Sequence, residues 1–270
     1  MFLCALLIPG KQCAAYAERE QRGKDLRNLN RIAFFWVGEI LVPTLLVTSI
    51  RHALGQEIEI VQLSDRSTAR VEGVTACKNM RLSPDMMVAR LEAYSSLEIK
   101  QPTLFLDADM LVLRNFDLPA LSENEIGVTL RKERDNASFA EGSREWRDFP
   151  EFRGKMAVDV MPYVYSFVYT RSEVLFIRQL NALRRMPKRF QQWYGDQVTL
   201  KSELGSGLFA IKEFDSDVFN RTVRSEFGFD EVLKSSARTC LVHFKGPRSK
   251  VLMPHAWKVV STISPSYSHD

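Results

Sequence analysis

Two carboxylates one residue apart, Asp107 and Asp109, stand at the end of the apolar run Leu104-Phe105-Leu106. Apolar residues resume at Leu111 and Val112, so the flanks predict a buried strand that carries the pair at its end. Two anions this close repel each other unless a cation lies between them. Hard oxygen ligands suit Mg²⁺ or Mn²⁺, which points to a metal-dependent enzyme that handles phosphate. Taken alone, Asp-x-Asp is a weak signal, because an Asp after a strand also makes turns by bonding its own backbone. Two later clusters strengthen it: Trp193-Tyr194-Gly195-Asp196-Gln197, and His243-Phe244-Lys245-Gly246-Pro247-Arg248-Ser249-Lys250.

The elements that must position these residues alternate between strand and helix. Residues 2–8 predict a first buried strand ending in Pro9-Gly10-Lys11. Residues 32–50 read as a loop followed by a buried helix over 41–54, with Pro43 in its first turn, Leu46, Ile50 and Leu54 every fourth position, and Gly55 as the stop. Residues 57–63 alternate and predict a strand running into Ser64-Asp65, with Asp65 as a turn residue. Ser83-Pro84-Asp85 predicts a helix start, followed by the stripe Met87, Leu91 and Tyr94. Strands are predicted over 125–130, 163–169 and 241–244. Ser172 caps a helix bearing Phe176, Leu180 and Leu183, and a short helix begins at Asp196. This order implies an α/β architecture around a mostly parallel sheet, in which ligands bind beyond the carboxyl ends of the strands. Residues 1–260 are expected to form one domain, with a polar tail over 261–270.

The 270 residues suffice for a substantial core, and 45% apolar content with mixed charge excludes disorder. The formal charge of +4 favours anionic ligands weakly. No zinc-finger spacing or basic tract interleaved with aromatics is present, which excludes nucleic-acid binding. Cys4, Cys13, Cys77 and Cys240 form no Cys-x-x-Cys pair and read as free thiols of a reducing, cytoplasmic setting. The apolar start lacks a basic region, so it reads as a strand rather than a signal peptide. Glu39 and Pro43 argue against a membrane span in residues 32–50.

The three clusters, in order and spacing from about residue 80 to 250, resemble the nucleotide-sugar glycosyltransferases of the GT-A fold, and among them family 8, which includes glycogenin and the lipopolysaccharide α-galactosyltransferases. The family's Leu-Asp-Ala-Asp matches Leu106 to Asp109, and its Gly-Asp-Gln matches Gly195 to Gln197. Its C-terminal His-x-x-Gly-x-x-Lys is matched in part by His243 and Gly246. Ser249 stands where the basic residue is expected, with Arg248 and Lys250 on either side. Tyr165-Ser166-Phe167-Val168 stands where the family has an Asn-[Ala/Ser]-Gly-Val strand.

The resemblance implies transfer of a hexose from a nucleoside diphosphate, UDP above all, to an acceptor hydroxyl with retention of configuration. It implies Asp107, Asp109 and His243 as ligands of Mn²⁺ or Mg²⁺, with Asp107 also reaching toward the ribose. Gly246 would let the backbone approach the diphosphate, and Lys245, Arg248 or Lys250 would add charge there. Asp196 would lie beside the donor sugar, with Gln197 on the reacting face. A helix N-cap is the structural alternative for Asp196. Arg90, at the edge of the Met87–Tyr94 stripe, would contact donor sugar or phosphate, the alternative being a structural salt bridge.

The acceptor implied by the resemblance is a saccharide, glycolipid or protein. Residues 131–160 read as an acceptor-binding lid carrying Trp146, Phe149 and Phe152, or else as a surface insertion. Arg178, Arg184, Arg185, Lys188 and Arg189 form a basic patch that would meet anionic lipid peripherally, or else a solvated helix face. Three rivals remain: a sugar nucleotidyltransferase, disfavoured because only Gly10-Lys11 supplies a basic Gly loop; a haloacid-dehalogenase-type phosphatase, disfavoured because Met110-Leu111 follow the pair in mid-chain; and a non-catalytic sugar-binding module.

Overall fold

A computed structural model of the chain describes residues 28–132, 148–223, 229–230, 233 and 238–262. The expected strand at 2–8, Pro9-Gly10-Lys11, Cys4, Cys13, Trp146 and the tail from 263 lie outside these residues. Seven strands form one sheet: β1 (Arg31–Phe35), β2 (Glu59–Asp65), β3 (Ala76–Met80), β4 (Thr103–Asp107), β6 (Glu125–Leu130), β7 (Tyr163–Thr170) and β8 (Ala210–Phe214), in the order β3-β2-β1-β4-β7-β6-β8. A second sheet holds β5 (Met110–Val112), β10 (Leu241–His243) and β9 (Arg221–Thr222) in that order. The labelled helices are α1 (Leu41–Leu54), α2 (Met86–Ser95), α3 (Glu173–Arg184), α4 (Lys188–Gln192), α5 (Gly195–Leu204) and α6 (Met253–Thr262).

The large sheet is mostly parallel. β1 pairs in parallel with β2 and β4, β2 with β3, and β6 with β8, while β7 runs antiparallel to β4 and β6. Successive side chains of a strand face opposite sides, and here both sides are covered. Ala33 and Phe35 join Leu63, Phe105, Tyr94 and Phe176 on the face covered by α2 and α3. Ile32 and Phe34 join Ile60, Leu104, Leu106 and the α1 residues Leu46 and Ile50 on the other.

This double burial explains a difference from the sequence reading. Residues 31–35 are the inner strand β1, not a loop. A strand buried on both faces shows a continuous apolar run, which periodicity alone cannot classify. α1 keeps its expected bounds, and Gly55 closes it with φ 89°. α2 starts at Met86 with Asp85 in the cap position, two residues later than Ser83-Pro84 suggests. Asp85 meets Lys188 rather than the helix N–H groups. Asp65 is the last residue of β2, and its side chain holds the turn that follows, accepting from Thr68 N at 2.8 Å and Ser67 Oγ at 2.7 Å.

One surface reading is corrected. Phe149 and Phe152 are only 5% exposed, packed with Phe190 and Tyr194, so they seal core rather than offer a sugar platform. In the basic patch Arg178, Arg184, Lys188 and Arg189 each meet a carboxylate: Glu203, Glu92, Asp85 and Glu151. These contacts tie α3 and α4 to their neighbours along an exposed face. No helix among the described residues is long and apolar enough to cross a membrane.

Candidate active site

The site begins where β4 leaves the large sheet. Asp107 is the last residue of β4, Ala108 and Asp109 turn, and Met110 opens β5. β5 pairs antiparallel with β10, with Met110 opposite His243 and Val112 opposite Leu241. Phe244 N donates to Asp109 O at 2.9 Å, extending that ladder to the turn itself. The apolar residues Leu111, Val242 and Phe244 pack with Met253, Ala256 and Val260 of α6, and this small core holds the pairing in register. Two segments far apart in the chain are thus brought side by side.

His243 Nε2 lies 3.3 Å from Asp109 Oδ1 and 3.9 Å from Asp107 Oδ2. One ligand atom from each of the three residues lies within 4.8 Å of the others. His243 is buried, and Nε2 is the ring nitrogen that faces both carboxylates, while Nδ1 makes no hydrogen bond among the described residues. Two hard carboxylates and one imidazole, converging at this distance, fit a divalent cation. Lys250, at the end of the helical turn Pro247–Lys250, places Nζ 3.0 Å from Asp109 Oδ2 and 5.5 Å from the centre of the Trp36 ring. Burial by itself raises the Asp109 pKa, but His243 and Lys250 outweigh it and hold the carboxyl well below the usual carboxylate range.

Asp107 also joins a second constellation. Arg90, on α2, places Nη2 3.3 Å from Asp107 Oδ1, while its Nη1 donates to Asp196 Oδ2 at 2.8 Å. Its guanidinium lies 5.6 Å from the centre of the Tyr165 ring. Burial disfavours the charged guanidinium, yet Asp107 and Asp196 overcome this and hold its pKa above the ordinary value. Asp196 is 1% exposed, and burial raises its pKa despite Arg90. It is the second residue of α5 rather than the N-cap, a position held by Tyr194.

The bend before α5 is steep. Tyr194 has φ 66°, a left-handed conformation that costs a bulky residue about 1–3 kcal/mol. Its ring packs against Phe149 and Phe152, which offsets that cost. A Cβ on Gly195 would lie 2.2 Å from the Phe190 carbonyl oxygen and 2.3 Å from Leu183 Cδ1. Gly195→Ala is therefore expected to lower stability by about 2–3 kcal/mol, the cost of overpacking against backbone that cannot yield. A shift of the urea midpoint at unchanged slope checks this; an unshifted midpoint contradicts the packing described.

The structure therefore gathers Asp107, Asp109, His243, Lys250, Arg90 and Asp196 into one connected cluster at the carboxyl end of β4. Gly246 adopts φ 86° with open space where a Cβ would stand, and the neighbouring Lys245 is exposed. The Arg248 side chain lies outside the described structure. Gln197 is half-buried, and its Oε1 accepts from Arg131 Nη2 at 2.8 Å. Sequence reasoning missed Arg131, whose only signal was a charged residue directly after a buried strand. It also missed Tyr165 as the aromatic surface beside Arg90, and Trp36 as the one beside Lys250.

No known family model matches the sequence, and no curated protein matches it. Among solved structures the chain is similar to the galactosyltransferase LgtC, solved in complex with donor and acceptor sugar analogues, at 14% identity and a TM-score of 0.48, covering 88% of this chain and 98% of that one. It is also similar to the apo structure of the bifunctional glycosyltransferase WbbM, at 12% identity and a TM-score of 0.49, covering 82% of this chain and 46% of that one.

Proposed function

We propose that this chain is a GT-A glycosyltransferase that transfers a hexose from a nucleoside diphosphate, UDP above all, to an acceptor hydroxyl on a saccharide, glycolipid or protein. The observation that carries the reading is the β5–β10 pairing, which sets His243 beside Asp107 and Asp109 at the carboxyl end of β4, with the Arg90–Asp196 pair adjoining. Asp107, Asp109 and His243 would hold Mn²⁺ or Mg²⁺. Such an ion, when bound, neutralises the charge that develops on a diphosphate leaving group.

The chain's own residues supply the rest. Lys250 is already drawn to the acidic pair and offers its ammonium to diphosphate oxygens once the carboxylates have another counter-charge. Lys245 and Arg248 stand in the same segment, and Gly246 leaves room for a close approach to its backbone. Asp196, 1% exposed and fixed by Arg90 and by the Gln197 N–H at 2.8 Å, would act as an oriented negative charge beside an oxocarbenium-like transition state. Arg90 holds this carboxylate and that of Asp107 apart in a fixed geometry. Retention of configuration rests on the resemblance of the sequence motifs to family 8.

Incubation with UDP-hexoses and Mn²⁺ is expected to release UDP slowly by hydrolysis and faster with a glycoside acceptor, while an aryl phosphate stays intact. Cleavage of the aryl phosphate without UDP release would favour the phosphatase. Formation of a nucleotide sugar from a sugar phosphate and a nucleoside triphosphate would favour the nucleotidyltransferase. Binding of the donor without any turnover would leave a sugar-binding module.

A further inference from the structure

Arg131 follows the last residue of β6 and is 7% exposed. Three bonds fix it. Its backbone N–H donates to Pro162 O at 2.7 Å, its Nε to Met161 O at 3.0 Å, and its Nη2 to Gln197 Oε1 at 2.8 Å. A guanidinium has donors only, so the end of the Gln197 amide that faces it must be the carbonyl oxygen. The usual ambiguity between amide oxygen and nitrogen is thereby removed by chemistry. The amide Nε2 has no protein partner among the described residues, and Gln197 adjoins Asp196, whose carboxylate connects through Arg90 to Asp107.

We propose that Arg131 is a positioning residue that commits the oxygen of Gln197, leaving its amide NH₂ as the end offered to substrate. Gln197 then acts as a hydrogen-bond donor to an oxygen of the bound sugar. An amide oxygen whose lone pair is held by a cation is a poor nucleophile, so no covalent glycosyl link forms on Gln197. This rests on the transferase reading given above and specifies which end of one of its residues touches substrate.

Six proteins test it: wild type, R131M, Q197E, Q197A and the R131M/Q197E and R131M/Q197A double variants. Q197E keeps the shape and the oxygen facing Arg131 but removes the NH₂ donors. It is expected to melt at or above the wild-type temperature, because a carboxylate pairs more strongly with the guanidinium. Its kcat is expected to fall about 100-fold, the scale of one lost transition-state donor, and intact mass spectrometry of the wild type incubated with donor should show no added hexose. R131M is expected to lower the melting temperature more in the Q197E background than in wild type, because there it strips a charged pair. On turnover, R131M is expected to lower kcat more than it alters donor KM in wild type. In a Q197A background it should leave kcat unchanged, since a positioning residue has nothing left to position.

Wild-type turnover combined with near-normal kcat for Q197E, a hexose adduct on Gln197 of the wild type, equal melting losses in both backgrounds, or a full R131M effect on top of Q197A each overturns the inference alone. A wild type that turns over no nucleotide sugar overturns the transferase reading, and the inference falls with it.

Discussion

Asp109→Asn is expected to abolish the cation-dependent part of donor binding while leaving the fold intact. Asp109 is the residue on which His243 and Lys250 both converge, at 3.3 and 3.0 Å. Its amide replacement is a neutral and poorer oxygen ligand. Loss of an outer partner of a metal ligand already costs about 10–100-fold in affinity, so loss of a direct ligand should cost at least about 100-fold. Survival of the fold is expected on separate grounds. The Lys250 side chain is 33% exposed and can return its ammonium to water when its partner is removed. Calorimetric titration of UDP-sugar into wild-type and D109N protein, with and without Mn²⁺, reads both effects. Unchanged affinity in D109N contradicts the role assigned to this carboxylate.

Arg90→Met is expected to destabilise the chain by about 3–5 kcal/mol, the cost of removing one partner of a buried pair. Asp196 is left behind 1% exposed, facing Asp107 with no guanidinium between them. The pH dependence has a definite sign. Burial raises the Asp196 pKa in the wild type and Arg90 is the largest influence opposing it, so its removal raises the pKa further. A carboxyl with a raised folded-state pKa contributes stability that is fully present below its unfolded pKa of about 3.9 and is lost as pH rises through the folded value. The deficit of R90M relative to wild type should therefore be smaller near about pH 4.5 than near about pH 7.5, when followed by urea unfolding. Equal deficits at both pH values would mean that Asp196 does not depend on Arg90 for its charge.

The parts of the fold legible in the sequence were those with local signals. α1 carries a period near four, a Pro in its first turn and a Gly at its end, and its bounds follow from these. β6 keeps its expected bounds as well, marked by turn residues before it. β1 was not legible, because a strand covered on both faces loses the two-residue alternation and reads only as greasy. β3, with exposed and half-buried residues throughout, lacks any apolar pattern.

The candidate site divides in the same way. Asp107, Asp109 and His243 were found through residue type and order, but their meeting depends on the β5–β10 pairing, two three-residue strands far apart in the chain. Arg90 was legible as a cation beside an apolar stripe that needed an anion; that it has two, from β4 and α5, follows only from tertiary packing. Phe149 and Phe152 misled because aromatics within a charged stretch suggest exposure, whereas here they close the core beneath Tyr194.

The central claim is that Asp107, Asp109 and His243 grip a single divalent cation alongside a nucleoside diphosphate. Electron paramagnetic resonance of Mn²⁺ titrated into the protein with UDP tests it most directly, because bound and aqueous ions give different signals whatever the acceptor. The expected result is one bound ion per chain in wild type, lost in His243→Ala although that variant still melts cooperatively. Free Mn²⁺ throughout the wild-type titration, or equal retention in the variant, would contradict it.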